Sequence, residues 1–364
     1  MPLKWRKVWV SDETFESAGV FDVNGDGIPD IVCGGYWYEG PDFRKKHMIG
    51  EVFRAGEYHD DFSTIALDVN GDGRTDFITG GWWGNTLRWR ENPGKAGKTW
   101  PEHVIATVGN VETTRAWDID GDGHIEILPN TPPNPEVAYH KLIRDARGMG
   151  TGAFRKVPVF TFSEGGQGHG LGCGDIGGNG RMDIILSKGW LEAPADPEKG
   201  AWLWHADFAD APWGSAASIP MLVVDVDGDG RNELITGNAH GFGLWWSKRR
   251  SDGTWQHHPI DPYNAQYHDL QWADIDGDGK AELVTGKRHR AHCGNEAGEW
   301  DDLGMYYFKW TGEGFAKQVV DYGPIGRGKG CGIHFGIADL NGDGCPEIVA
   351  PGKEGLYVFF NEGT

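Results

Sequence analysis

Nine-residue runs of acid, amide and glycine recur seven times in this chain, with the oxygen spacing of a cation-binding loop. They are residues 22–30 (DVNGDGIPD), 68–76 (DVNGDGRTD), 118–126 (DIDGDGHIE), 175–183 (DIGGNGRMD), 225–233 (DVDGDGRNE), 274–282 (DIDGDGKAE) and 339–347 (DLNGDGCPE). Positions one, three, five and nine offer side-chain oxygens and position seven a carbonyl, as with Asp22, Asn24, Asp26, Ile28 and Asp30. Glycine at position four permits the tight turn that brings alternate residues onto one ion. Hard oxygens at this density suit Ca2+ better than a transition metal. An EF-hand closes with its acid three positions later, which excludes a helix–loop–helix.

Six copies are expected to bind structural Ca2+. The ligands would be Asp22, Asn24, Asp26 and Asp30 in the first, and Asp68, Asn70, Asp72 and Asp76 in the second. Asp118, Asp120, Asp122 and Glu126 would serve in the third, and Asp225, Asp227, Asp229 and Glu233 in the fifth. The sixth would use Asp274, Asp276, Asp278 and Glu282, and the seventh Asp339, Asn341, Asp343 and Glu347. The fourth copy has Gly177 and Asn179 at positions three and five. It is expected to keep its turn and bind calcium weakly or not at all.

The elements that position these loops follow from their period. Successive copies start 46, 50, 57, 50, 49 and 65 residues apart, which fits one four-stranded propeller blade per repeat. Short apolar strands flank each loop, as at residues 19–21 and 30–33, or 65–67 and 76–79. An aromatic third strand follows (86–89, 243–246, 305–309, 356–360), then an alternating fourth (100–105, 255–260, 315–320). Only two strands fit after the seventh loop, while residues 5–10 (WRKVWV) form an orphan strand before the first. The expectation is an all-β, seven-bladed propeller spanning residues 1–364 as one domain, with the N-terminal strand completing the last blade and covering its edge.

This topology puts all seven loops on one face of the disc. Segments leading into the inner strands and leaving the second strands gather on the other face, around the channel mouth. Those segments hold His59, Glu112, His169, His240, His268 and His334. His169 and His268 each stand six residues before their loop's first Asp, so they occupy equivalent positions two blades apart. Convergent ionisable groups in a pocket assemble acid–base and metal chemistry. His169, His268, His240, His59 and His334 are therefore the expected catalytic or ligand set, with one further divalent ion such as Zn2+ or Mn2+ among them.

Lys188, Arg288 and His289 are expected to hold substrate oxygens, and Trp37, Trp82, Trp83 and Trp190 to stack on sugar rings. The long sixth period contains an insertion, residues 288–302, that reads as a lid or, through His292, Cys293 and Glu296, as a weak metal set. His47, His103 and His258 fall on outer strands and read as surface residues.

The net charge of −20 is concentrated in the loops, so it reads as metal ligation, and nucleic acid is not an expected partner. No apolar run approaches a membrane span. The five cysteines form no CxxC pair and favour a reducing compartment, whereas calcium loops fill best outside the cytosol. Without a visible signal sequence, the cytoplasm is the expected location and export the alternative.

The loops after short strands, above all residues 335–344 (FGIADLNGDG), resemble the FG-GAP/VCBS family of calcium-binding propeller repeats. That family includes adhesion propellers and carbohydrate-active enzymes. The histidine-rich mouth is similar to the propeller part of aldos-2-ulose dehydratase and related sugar lyases, which implies elimination of water or an alcohol beside a carbonyl. The expected function is thus a carbohydrate lyase or dehydratase acting on a keto-sugar or uronic-acid glycoside. A non-catalytic glycan- or protein-binding propeller is the alternative.

Overall fold

The computed structural model describes residues 2–364. Seven four-stranded antiparallel sheets stand around a central channel, and the described residues include no α-helix. Blade one shows the pattern, with strands Ala18–Phe21, Asp30–Cys33, Tyr36–Glu39 and Lys45–Met48 in order from the axis outward. First strands of neighbouring blades touch one another, which places them at the channel wall. Second strands are buried on both faces, as in Asp30–Cys33 (DIVC) and Glu282–Lys287 (ELVTGK). Their continuous apolar character follows, since each packs between two blades rather than facing water on one side.

The last blade combines both ends of the chain. Gly336–Ala338, Glu347–Ala350 and Leu356–Asn361 are completed by Trp5–Ser11, with Trp5 opposite Asn361 and Trp9 opposite Tyr357. Apolar clusters then seal the ring between blades. Ile31 and Tyr38 of blade one pack with Leu356 and Val358 of blade seven, and Val284 and Tyr307 of blade six with Ile348 and Phe359.

Each acidic loop is a turn organised by its first aspartate. Asp22 Oδ1 accepts from the Gly25 amide at 2.7 Å and Oδ2 from the Gly27 amide at 2.8 Å, and Asp68, Asp225, Asp274 and Asp339 repeat the pattern. Gly25 and Gly27 have φ of 78° and 82°, where a side chain would be strained. The degenerate fourth loop keeps this geometry, with Asp175 accepting from the amides of Asn179 and Gly180.

A further repeat links third and fourth strands. Trp37 stacks on His47, Trp89 on His103, Trp190 on His205 and Trp246 on His258, with ring centroids 4.1, 4.4, 4.1 and 4.5 Å apart. In three of them the histidine also meets a carboxylate at the end of the third strand or just past it, Glu39, Glu91 or Glu192. This corrects one sequence-based expectation: Trp37 and Trp190 are 3% and 1% exposed and pack between blades. His47, His103 and His258 lie on the outer strands as expected, half-buried, each with one ring face on a tryptophan.

The channel is closed by Arg115. Its Nη2 donates to the Ile219 carbonyl at 2.6 Å, the Ile333 carbonyl at 3.0 Å and Asp269 Oδ1 at 3.0 Å, so one side chain from blade three reaches three blades across the axis. Below it a cavity of about 540 Å³, lined by Trp117, Gln271, Trp272 and His334, extends toward the loop face.

Candidate active site

Counting back six residues from each loop's first aspartate gives Glu16, Phe62, Glu112, His169, Ile219, His268 and Ile333. This register forms the rim of the upper mouth, because every blade enters its inner strand at the same height. Four of the seven are ionisable. Glu112 and His169 lie side by side, Oε1 to Nε2 at 3.1 Å. His240, which leaves the second strand of blade five, completes a cluster with His268. Ring centroids are 4.6 Å for His169–His240, 5.1 Å for His169–His268 and 4.9 Å for His240–His268. One ligand atom from each of Glu112, His169, His240 and His268 falls within 4.8 Å of the others.

Hydrogen bonding assigns different roles within this cluster. His169 Nδ1 is 2.7 Å from the Ala217 carbonyl, which fixes its proton there and aims the Nε2 lone pair at the Glu112 carboxylate. Nε2 is buried without a hydrogen-bond partner. Two lone pairs facing each other require a cation between them, either a proton or a metal ion. Arg288 Nη1 is 2.8 Å from His268 Nε2, and a guanidinium can only donate. His268 therefore carries its proton on Nδ1, which has no partner and offers an N–H donor rather than a metal-ligating lone pair. The set that fits a divalent ion is Glu112, His169 and His240, a His2Glu donor group of the kind that suits Zn2+.

Charge in the mouth is settled by burial and by neighbours. Burial alone would raise Glu112, but His169, His240 and Arg288 outweigh it and hold the carboxyl down at about 2. Burial pushes His240 down to about 4 against the opposing pull of Glu296, so the imidazole is neutral at physiological pH and able to ligate. Burial, and then the Arg288 charge, keep His268 well below its usual range. Arg288 is itself held by Glu16, Nε to Oε1 at 2.8 Å and Nη2 to Oε2 at 3.0 Å.

The sixth-blade insertion crosses this mouth. Tyr58 donates to the Ala291 carbonyl at 2.8 Å, Arg290 pairs with Glu57 at 2.6 Å and Lys353 donates to the Arg290 carbonyl at 2.6 Å. It delivers His292, whose Nδ1 lies 2.5 Å from Glu296 Oε1, while His240 Nδ1 lies 2.7 Å from the same oxygen. Burial works to raise Glu296, but His240 and His292 outweigh it and hold the carboxyl at about 2. Beside this group a cavity of about 240 Å³ is walled by Tyr58, Phe62, Trp82 and Trp83 and floored by Glu112, Arg288 and His292.

Other expected members stand apart. His59 packs tilted against Phe15, ring centroids 4.3 Å apart, and bonds Thr14, outside the cluster. His334 accepts from the Thr64 amide at 3.1 Å and lines the lower cavity, because it sits five residues before its loop instead of six. His289 faces the buried Glu354 at 3.6 Å, and Lys188 is exposed. Cys293 turns to Lys353, 3.9 Å away, instead of joining His292 and Glu296. Glu16 went unrecognised in the sequence, although the six-residue offset that marks His169 and His268 also marks it.

The FG-GAP-like repeat family matches residues 68–128 and 225–285. The chain carries FG-GAP-like repeats. Among solved structures, the exotype rhamnogalacturonan lyase YesX is similar over 100% of this chain and 75% of its own, at 13% identity and a TM-score of 0.53. BBS1N in complex with ARL6DN aligns over 100% and 98%, at 10% identity and a TM-score of 0.54. Sqt1 of Saccharomyces cerevisiae aligns over 99% and 98%, at 10% identity and a TM-score of 0.51. At these identities the likeness establishes the propeller fold alone. A search of curated protein sequences found no match. The matched segments hold the second, third, fifth and sixth acidic loops. The mouth draws on both parts of the chain: Glu112, His240 and His268 lie within the matched segments, whereas Glu16, His169 and the insertion carrying His292 and Glu296 lie outside them.

Proposed function

We propose that the upper mouth is the active site of a metal-assisted carbon–oxygen lyase acting on a neutral keto-sugar. The observation that carries this reading is the convergence of Glu112, His169 and His240 beside the aromatic cavity, with an orphaned imidazole nitrogen facing a carboxylate. A divalent ion held by these three would polarise a substrate carbonyl and acidify the adjacent C–H.

The chain's own groups then divide the proton work. Glu296, ionised and 2.5 Å from His292 Nδ1, holds that proton in place and leaves Nε2 free to accept one from substrate. Burial raises the Tyr58 phenol, which stays protonated at the cavity wall and can protonate the departing oxygen. His268 supplies an N–H donor oriented by Arg288. Trp82, Trp83 and Phe62 offer apolar faces for a sugar ring. Both mouth guanidiniums are already paired, Arg288 with Glu16 and Arg290 with Glu57, which favours a neutral sugar over a uronate.

Metal analysis after mild calcium chelation is expected to find about one retained transition ion per chain, lost in Glu112→Gln and His169→Ala. With a keto-sugar panel, His292→Ala should lower kcat by roughly 10²–10⁴-fold with the metal retained. If no transition ion is retained and sugars bind without yielding an unsaturated product, the lyase reading falls and a glycan-binding role replaces it. Structural Ca2+ in the acidic loops is a separate proposal, resting on their oxygen spacing.

A further inference from the structure

The acidic loops fall into two electrostatic classes, and the residue that divides them is the cross-strand partner of the closing acid. Extending the ladder between second and third strands by one residue sets Glu126 opposite Lys141, Glu233 opposite Lys248 and Glu282 opposite Lys309. The same extension sets Asp30, Asp76 and Asp183 opposite Glu39, Glu91 and Glu192, and Glu347 opposite Phe360. Lysine thus faces the closing acid in the third, fifth and sixth loops, the three whose position three is Asp rather than Asn or Gly.

The ammonium in each case sits inside the loop. Lys141 Nζ pairs with Asp120, with Asp122 at 2.7 Å and with Glu126 at 3.5 Å. Lys248 Nζ pairs with Asp227, with Asp229 at 2.7 Å and with Glu233 at 3.3 Å. Lys309 Nζ pairs with Asp276, with Asp278 at 3.1 Å and with Glu282 at 3.5 Å. Positions three, five and nine are the oxygens a calcium ion would need. Carboxylates of these loops are grouped closely enough to hold an ion, yet the ammonium already occupies their centre. An entering Ca2+ would have to break three ion pairs and would be repelled until the lysine withdrew.

We infer that Lys141, Lys248 and Lys309 are resident cations that replace calcium in these three loops. The extra carboxylate at position three and the lysine are then one paired feature, a loop neutralised from within. This limits Ca2+ to loops outside that class, fewer than the six expected from the motif.

Equilibrium dialysis against 45Ca2+ tests this with the full chain. Lys141→Met, Lys248→Met and Lys309→Met should each gain one bound calcium per chain, or bind it at least about ten-fold tighter than wild type. A variant that folds only when calcium is supplied supports the same conclusion, since the ion then replaces the lost ammonium. Unchanged calcium stoichiometry and affinity in all three folded variants would overturn it, as would anomalous scattering from Ca2+ in these loops of the wild-type protein. The readout does not involve the mouth, so it stands or falls independently of the lyase reading.

Discussion

His140 shows how one side chain sets a pH limit on the fold. It is 2% exposed on the third strand of blade three, and burial, reinforced by the charge of Lys156, pushes it down to about 4. The unfolded chain takes up that proton near pH 6.5, whereas the folded protein resists until about 4. Stability from this group is complete above the unfolded value and is lost as pH falls through that window. Thermal unfolding followed from pH 7 to 4 should show this decline, and His140→Leu should make it shallower, the remainder coming from buried imidazoles such as His240 and His268. The same residue-level logic separates legible from illegible parts of the mouth. His169 and His268 were readable because they share an offset from a repeated loop, and that offset would have disclosed Glu16 too. His240 and the insertion carrying His292 and Glu296 were also readable as mouth elements, but the folding-back that sets both imidazoles on Glu296 and turns Cys293 away to Lys353 is not encoded by any period.

Among elements, the strand Trp5–Ser11 has the clearest consequence. It is the fourth strand of a blade whose other three strands lie at the opposite end of the chain. Deleting residues 2–11 should expose the edge of Leu356–Asn361 and part the cluster joining blades seven and one. A lowered unfolding midpoint with concentration-dependent light scattering is the expected result, and a monomeric variant of unchanged stability would contradict it. Blade count and closure were legible because seven loops and one orphan strand fix them arithmetically. The fates of Trp37 and Trp190 were not. Whether a third-strand tryptophan faces the mouth or the next blade depends on the histidine opposite it, and that pairing requires the register of the fourth strand.

At the scale of the molecule, the Arg115–Asp269 pair ties blades across the axis. Burial raises Asp269 to about 6 despite the neighbouring guanidinium, which marks how costly an unpaired charge would be here. Arg115→Met should destabilise the ring by about 3–5 kcal/mol, because it leaves Asp269 buried alone. Arg115→Met combined with Asp269→Asn should recover part of that loss, as read from urea unfolding midpoints.

The bolt across the axis also decides traffic. Because Arg115 bars the bore, nothing that enters beside Trp82 and Trp83 can leave among the acidic turns, and a polymer cannot be threaded from one side of the disc to the other. A keto-sugar of the kind proposed for the mouth would have to arrive, and its product depart, on the same side of the disc.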